Sequence, residues 1–228
     1  ASGGYRLLRA QKNRFGATHE LAVFEMTSKG LKEISNPSER FLSERSLGSP
    51  GSAVVAHMQG SRSFLTEVQA LVQRCYQGYP RRTVQGVDQN RISLLLAVIE
   101  KCLGTSFAER DVYCKVAAGD RADEPAADLP ILFSLLSAAL NKAIPDDLMM
   151  VGEVGLGGEL RSVSSIQARI SEAKSVGVKR IVLPQWNLRE ASEAEGVKVY
   201  GVKNVKEVLD VLGWQGTKEN ASYTELDH

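Results

Sequence analysis

From Ala53 onward, apolar residues switch repeatedly between two spacings, and this alternation confines most of the chain to an α+β architecture. Segments 53–58, 65–72 and 112–116 are apolar-rich and short, and read as strands. Between them, Ile92, Leu95, Leu96, Ile99 and Leu103 recur at helical spacing within 90–104. A second helix is expected over 126–141, with Pro145 beyond its end. A strand at 148–154 then runs into the glycine-rich turn at 155–158. A third helix at 165–176 carries its stripe on Ile166, Ile170, Ala173 and Val176, and Gly177 is placed to close it. Strands at 180–183 and 197–202 and a helix at 205–212 complete the pattern.

Residues before Ala53 behave differently. Segments 5–10 and 20–26 read as strands on either side of Lys12-Asn13-Arg14-Phe15-Gly16. Two or three strands alone bury no core, so 1–34 expects a sheet beyond its own residues. The polar stretch 35–52 reads as a linker with at most one short helical turn. The main domain is then 53–216, and 217–228 reads as a flexible tail. Ala1-Ser2-Gly3-Gly4 looks like a linker, which suggests a segment cut from a longer protein.

Several chemistries find little support. Cys75, Cys102 and Cys114 are widely spaced, and only three histidines are present, so neither a disulfide framework nor a zinc site is expected. The glycines at 152–158 depart from GxGxxG, no Lys-Ser/Thr follows them, and a tight turn between strands accounts for them. Asp120, Asp123, Glu124 and Asp128 cluster around Arg121. Carboxylates can bind metal, but beside an arginine a solvated, salt-bridged loop is the reading. Formal net charge is only +1, so a nucleic-acid surface has to come from a local cluster of basic residues. No apolar run is long enough to span a membrane.

Two families enter through particular residues. The run from Gly152-Glu153-Val154-Gly155-Leu156 to Val182-Leu183-Pro184 resembles the second half of a Lon-type peptidase domain. In active members a lysine base opens the helix between those strands, and the nucleophilic serine stands in Gly-Pro-Ser-Ala-Gly. Here the lysine falls on Gln167, and the serine run reads Glu124-Pro125-Ala126-Ala127-Asp128, with Ala126 at the serine. A methyl group is not a nucleophile and a neutral amide does not take up a serine's proton, so both halves of the dyad are missing.

The second resemblance is to the RadA/Sms recombination proteins. It rests on Leu8-Arg9-Ala10, Lys12-Asn13-Arg14-Phe15-Gly16, Asn36-Pro37-Ser38, Pro80-Arg81-Arg82, Gly86-Val87-Asp88-Gln89-Asn90-Arg91 and Glu124-Pro125-Ala126-Ala127-Asp128, in the family's order. The resemblance implies a Lon proteolytic-domain-like fold (ribosomal protein S5 domain 2-like), preceded by terminal strands of a RecA-like ATPase domain. It also implies a non-proteolytic module that assembles into a hexameric ring and contacts duplex and single-stranded DNA during homologous recombination, branch migration and repair. A recombinase of the RecA type would be a partner.

No cofactor is expected in this part. ATP and magnesium would serve the full-length ATPase, and zinc its N-terminal finger. Residues 12–16 would couple DNA to nucleotide, through the fixed charges of Lys12 and Arg14. Arg81, Arg82 and Arg91 are the expected DNA contacts, with Arg91 alternatively in a structural ion pair with Asp88. Arg62, Arg74, Arg169, Lys174, Lys179 and Arg180 are weaker candidates. Two rivals remain: a peptidase using Ser134 or Ser137 with Lys142, and a scaffold that binds only proteins. The compartment would be cytoplasm in a bacterium, chloroplast or mitochondrion in a plant.

Overall fold

The computed structural model describes residues 5–9, 21–34, 36–60, 62–76, 78–117, 121–191, 196–214 and 224–226. Strands β1 (Tyr5–Arg9), β2 (Leu21–Thr27) and β3 (Gly30–Glu33) form an antiparallel three-stranded sheet of their own. Among its described side chains, Met26 and Leu31 are half exposed. Residues 12–16 lie outside the described residues.

Everything else is organised on one eight-stranded sheet. Its members are β4 (Ser52–Gln59), β5 (Arg62–Arg74), β6 (Arg82–Gln85), β7 (Arg110–Val116), β8 (Leu148–Met150), β11 (Arg180–Pro184), β12 (Lys198–Val202) and β13 (Thr224–Leu226). The spatial order is β13-β12-β11-β8-β4-β5-β7-β6. β4, β8, β11 and β12 run parallel, whereas β5 is antiparallel to both β4 and β7. Alternating side chains send β4 into two cores. Ala53 and Val55 face one apolar cluster, and Val54 and Ala56 face the other.

Helices α2 (Gln89–Val98), α3 (Asp128–Leu140) and α5 (Val205–Leu212) cover the first face. α3 is buried along its first ten residues, as an all-round apolar helix must be. It stops at Asn141, which takes the left-handed conformation at φ 53°. α4 (Ile166–Ser175) covers the second face through Ile166, Ile170 and Ala173, and Gly177 follows at φ 84° as the sequence predicts.

Four expectations change. Segment 35–52 is not a free linker: helix α1 (Pro37–Ser43) packs on β5, and Ser38 is fully buried. The Ser38 hydroxyl donates to Glu172 of α4 (2.5 Å) and accepts from the Leu65 amide (2.9 Å). Arg45, also buried, donates to the Ser52 hydroxyl at 2.8 Å. These polar residues fill interior hydrogen-bonding positions, a role composition does not reveal. The expected strand 148–154 breaks at Gly152, leaving β8 in the main sheet and β9 (Glu153–Val154) paired with β10 (Leu160–Arg161). The glycine turn joins β9 to β10, as expected. The helix expected over 90–104 is α2 plus one wider π turn, Ile99–Leu103, closed by Gly104 at φ 73°. Within the expected tail, Thr224–Leu226 pairs with β12.

Candidate functional site

Ala126 lies in a 3-10 turn, Pro125–Ala127, just before α3. Its carbonyl accepts the Gly152 amide (2.9 Å), and its methyl joins Met149, Val151 and Ile166 in the second core, 3% exposed. Gln167 stands in the first turn of α4, and its amide donates to the Glu190 carbonyl.

An ion pair ties together the segments carrying these two positions. Glu124, two residues before Ala126, receives both arms of Arg169, two residues after Gln167, at 2.7 Å each. The Arg169 side chain is 1% exposed. Its remaining N–H groups donate to the carbonyls of Ala56 and Ser164, and Glu124 also accepts the Met58 amide at 2.9 Å. The pair thus fastens β4, the turn before α3 and the start of α4 in a single node. A bidentate geometry in which every guanidinium nitrogen donates is what makes such burial tolerable.

A second pair lies beside it. The Arg91 Nε donates to Asp128 at 2.5 Å, while its other nitrogens donate to the carbonyls of Ala122 and Glu124. Burial raises the Asp128 carboxyl above the usual range, against the opposing pull of Arg91. Of the acidic cluster, only Asp123 behaves as a solvated loop residue, pairing with exposed Arg121 at 2.7 Å. Glu124 and Asp128 are structural, and Asp120 lies outside the described residues. Among the described residues, no three potential metal ligands converge.

Most of the arginines expected to contact DNA are engaged within the protein. Arg91 does not offer its guanidinium to solvent, and its structural partner is Asp128. Asp88 instead caps α2 by accepting the Arg91 backbone amide (2.9 Å). The Arg82 guanidinium is turned onto the carbonyls of Arg81, Phe107 and Arg110. Arg169 is interior, Arg180 pairs with Asp147, and Arg62 lies over the Phe64 ring. Arg81 and Arg74 remain exposed, as do Lys174 and Lys179.

The alternative nucleophiles are also committed elsewhere. Ser134 is fully buried and donates to the Ile131 carbonyl at 2.8 Å. Ser137 donates to the Lys142 carbonyl and accepts the Gly51 amide, while the Lys142 ammonium lies 3.5 Å from the Trp214 carbonyl. Burial pushes the Cys114 thiol up to about 12.

Residues 93–213, more than half of the chain, match the family of the Lon protease (S16) C-terminal proteolytic domain. The chain belongs to that family. This Lon-type chain is also similar to the DNA repair protein RadA of Bacillus subtilis, at 48% identity over 205 residues, 90% of the chain and 45% of the relative. For RadA of Pseudomonas aeruginosa the values are 45% over 212 residues, 93% and 47%. For that of Escherichia coli they are 43% over 212 residues, 93% and 46%. The resemblance to RadA/Sms proteins therefore extends over nine-tenths of this Lon-type chain, which spans a little under half the length of those relatives.

Sequence reasoning missed Arg169 as a structural residue, although a signal existed. Relative to Ile166 it stands at i+3, between the stripe positions Ile166 and Ile170, so its side chain is on the face directed to the core.

Proposed function

We propose that this chain is a non-proteolytic module that contacts duplex DNA within a RadA-type DNA repair ATPase. The observation carrying the reading is a cluster of arginines at one end of β5, β6 and β7. Arg74 and Arg110 lie directly opposite each other across the antiparallel pair. Arg82 reaches the Arg110 carbonyl, and Arg81 precedes β6. Like charges facing across strands cost stability, and bound phosphate offsets that cost. Guanidinium groups held by carbonyls keep their charge, so Arg82 and Arg110 reinforce the field around the exposed Arg74 and Arg81. Glu109 and Asp111 stand beside these four arginines in the sequence, and Asp111 accepts the Arg81 amide at 2.8 Å.

Such a surface binds phosphate without reading sequence. Assembly into a hexameric ring, branch migration and a RecA-type recombinase partner belong to the same proposal. So does an ATPase with its ATP and magnesium, a zinc finger and a nucleotide-coupled role for residues 12–16, all in the whole protein. The paired loss at Ala126 and Gln167, with the Glu124–Arg169 pair joining their segments, supports a scaffold kept for binding.

Duplex binding by the chain, measured between about 50 and 200 mM salt, tests this reading. Binding should weaken steeply with salt and fall by about tenfold or more in the double variant Arg74→Glu/Arg81→Glu. No binding at either salt would overturn it, and unchanged binding in the variant would remove the arginine cluster. A parallel cleavage assay, with Ala126→Ser/Gln167→Lys for comparison, should show no proteolysis by the unmodified chain.

A further inference from the structure

β6 is the last strand on one side of the eight-stranded sheet, and among the described residues no strand pairs with its outer edge. The Val112 amide donates to the Arg81 carbonyl at 2.9 Å, and this bond sets the alternation along the parallel pair. Arg81, Thr83 and Gln85 turn their backbone groups to β7, so Arg82 and Val84 turn their N–H and C=O groups outward. Such an edge is a template for another strand. The same register sets what lies beside it. Tyr113 stands next to Thr83 and Lys115 next to Gln85, with Leu71 and Gln69 beyond them on β5. A cavity of about 500 Å³ opens over these two rows, walled on one side by residues 46–52. Leu71, 58% exposed, and the Tyr113 ring give it an apolar floor. Lys115 is the one exposed charge in its lining, since Glu67 is buried and accepts from the Ser52 and Gln69 side chains.

We propose that β6 accepts an extended acidic peptide of a partner protein as an additional strand, with one large apolar side chain of that peptide seated in the cavity. Side chains on one face of a strand recur at every second residue, about 6.8 Å apart. The apolar residue therefore meets Thr83 and Tyr113, and a carboxylate two residues to one side meets Lys115. A second carboxylate, two residues to the other side, meets the exposed Arg81. This acidic-x-apolar-x-acidic pattern is the same in both directions, so it suits a parallel or an antiparallel strand. Main-chain bonds to Arg82 and Val84 hold the segment extended, and the side-chain positions choose its sequence.

Charge selects the occupant. A lysine beside a strand edge holds off neutral apolar strands, because covering it unpaired is costly, and carboxylates on the incoming strand remove that cost. A single strand of DNA fits less well, since its phosphates have no donor for the outward carbonyls of Arg82 and Val84. The site does not depend on the duplex reading: Lys115 lies about 13 Å along the strands from the level of Arg81.

The test is fluorescence anisotropy of the chain with a labelled, end-capped peptide Ser-Glu-Thr-Phe-Thr-Glu-Ser. Replacing its Phe by Ser, or both Glu by Lys, should weaken binding by about tenfold or more. Lys115→Glu in the chain should do the same and leave thermal unfolding unchanged. Val84→Pro removes one outward N–H without touching the bonds to β7, and should also weaken the peptide by about tenfold or more. If Val84→Pro fails to fold, the exposed Lys115→Glu still decides. No binding up to about 1 mM peptide, or full affinity in Lys115→Glu, would overturn the inference. Displacement of the peptide by less oligo(dT) than unlabelled peptide would give the surface to nucleic acid instead. A dimer in sedimentation velocity that Val84→Pro takes apart would give the edge to a second copy, and the peptide assignment would fall.

Discussion

Glu124 and Arg169 carry more of this molecule than the positions beside them. Removing either partner leaves an unpaired charge in a site the other still occupies, and buried pairs broken in this way cost about 3–5 kcal/mol. Urea denaturation of Arg169→Ala and Glu124→Ala should show losses of that size. The double variant should lose clearly less than the sum, because the second removal no longer strands a charge. Additive losses would mean that the pair is uncoupled. The same measurement on Gln167→Ala should show little change, since its one described bond reaches a backbone carbonyl near the surface. Gln167 should thus prove dispensable to the fold, while Arg169 two residues away should prove essential.

At the scale of elements, Gly51 decides whether the segment preceding β4 can reach the sheet. Its φ is +87°, and an added Cβ would lie 2.1 Å from the Ala70 carbonyl oxygen. The glycine is also held at both ends, its amide by Ser137 and its carbonyl by the Ala70 amide, each at 2.8 Å. Gly51→Ala is expected to cost about 2 kcal/mol or more, seen as a fall in Tm of several degrees. An unchanged Tm would show that the segment yields freely.

Elements also mark the limit of what the sequence reveals. α2 and α4 were legible because their apolar residues recur at helical spacing against a polar background. α1 was less so, although its signals were present: Asn36 caps it by accepting the Glu39 amide, and Pro37 occupies the first turn. β6 left almost no trace, since Arg82-Thr83-Val84-Gln85 is short and polar and becomes a strand only by pairing with β7. The expected dyad positions, Ala126 and Gln167, were legible only as residue types. The ion pair joining their segments was not, because a buried charge reads as a surface charge until its partner is known.

Across the whole molecule, protection should be graded from the centre outward. α3 is buried along most of its length, and β4 and β8 lie in the middle of the eight-stranded sheet, with both apolar cores against them. Their amides should exchange with solvent only through global unfolding, whereas β1–β3, a separate sheet with exposed side chains on β3, should exchange through local opening. Uniform exchange across both sheets would contradict this grading.

The bond from Ser38 to Glu172 joins residues 134 positions apart. A ribosome adding roughly 5–20 residues per second needs on the order of ten seconds to cover that interval. During that time α1 has no final partner on α4, and its buried serine faces water. The first helix of this domain can therefore dock on β5 early but stays incomplete until α4 emerges, and a pause in translation between β8 and α4 would lengthen the wait.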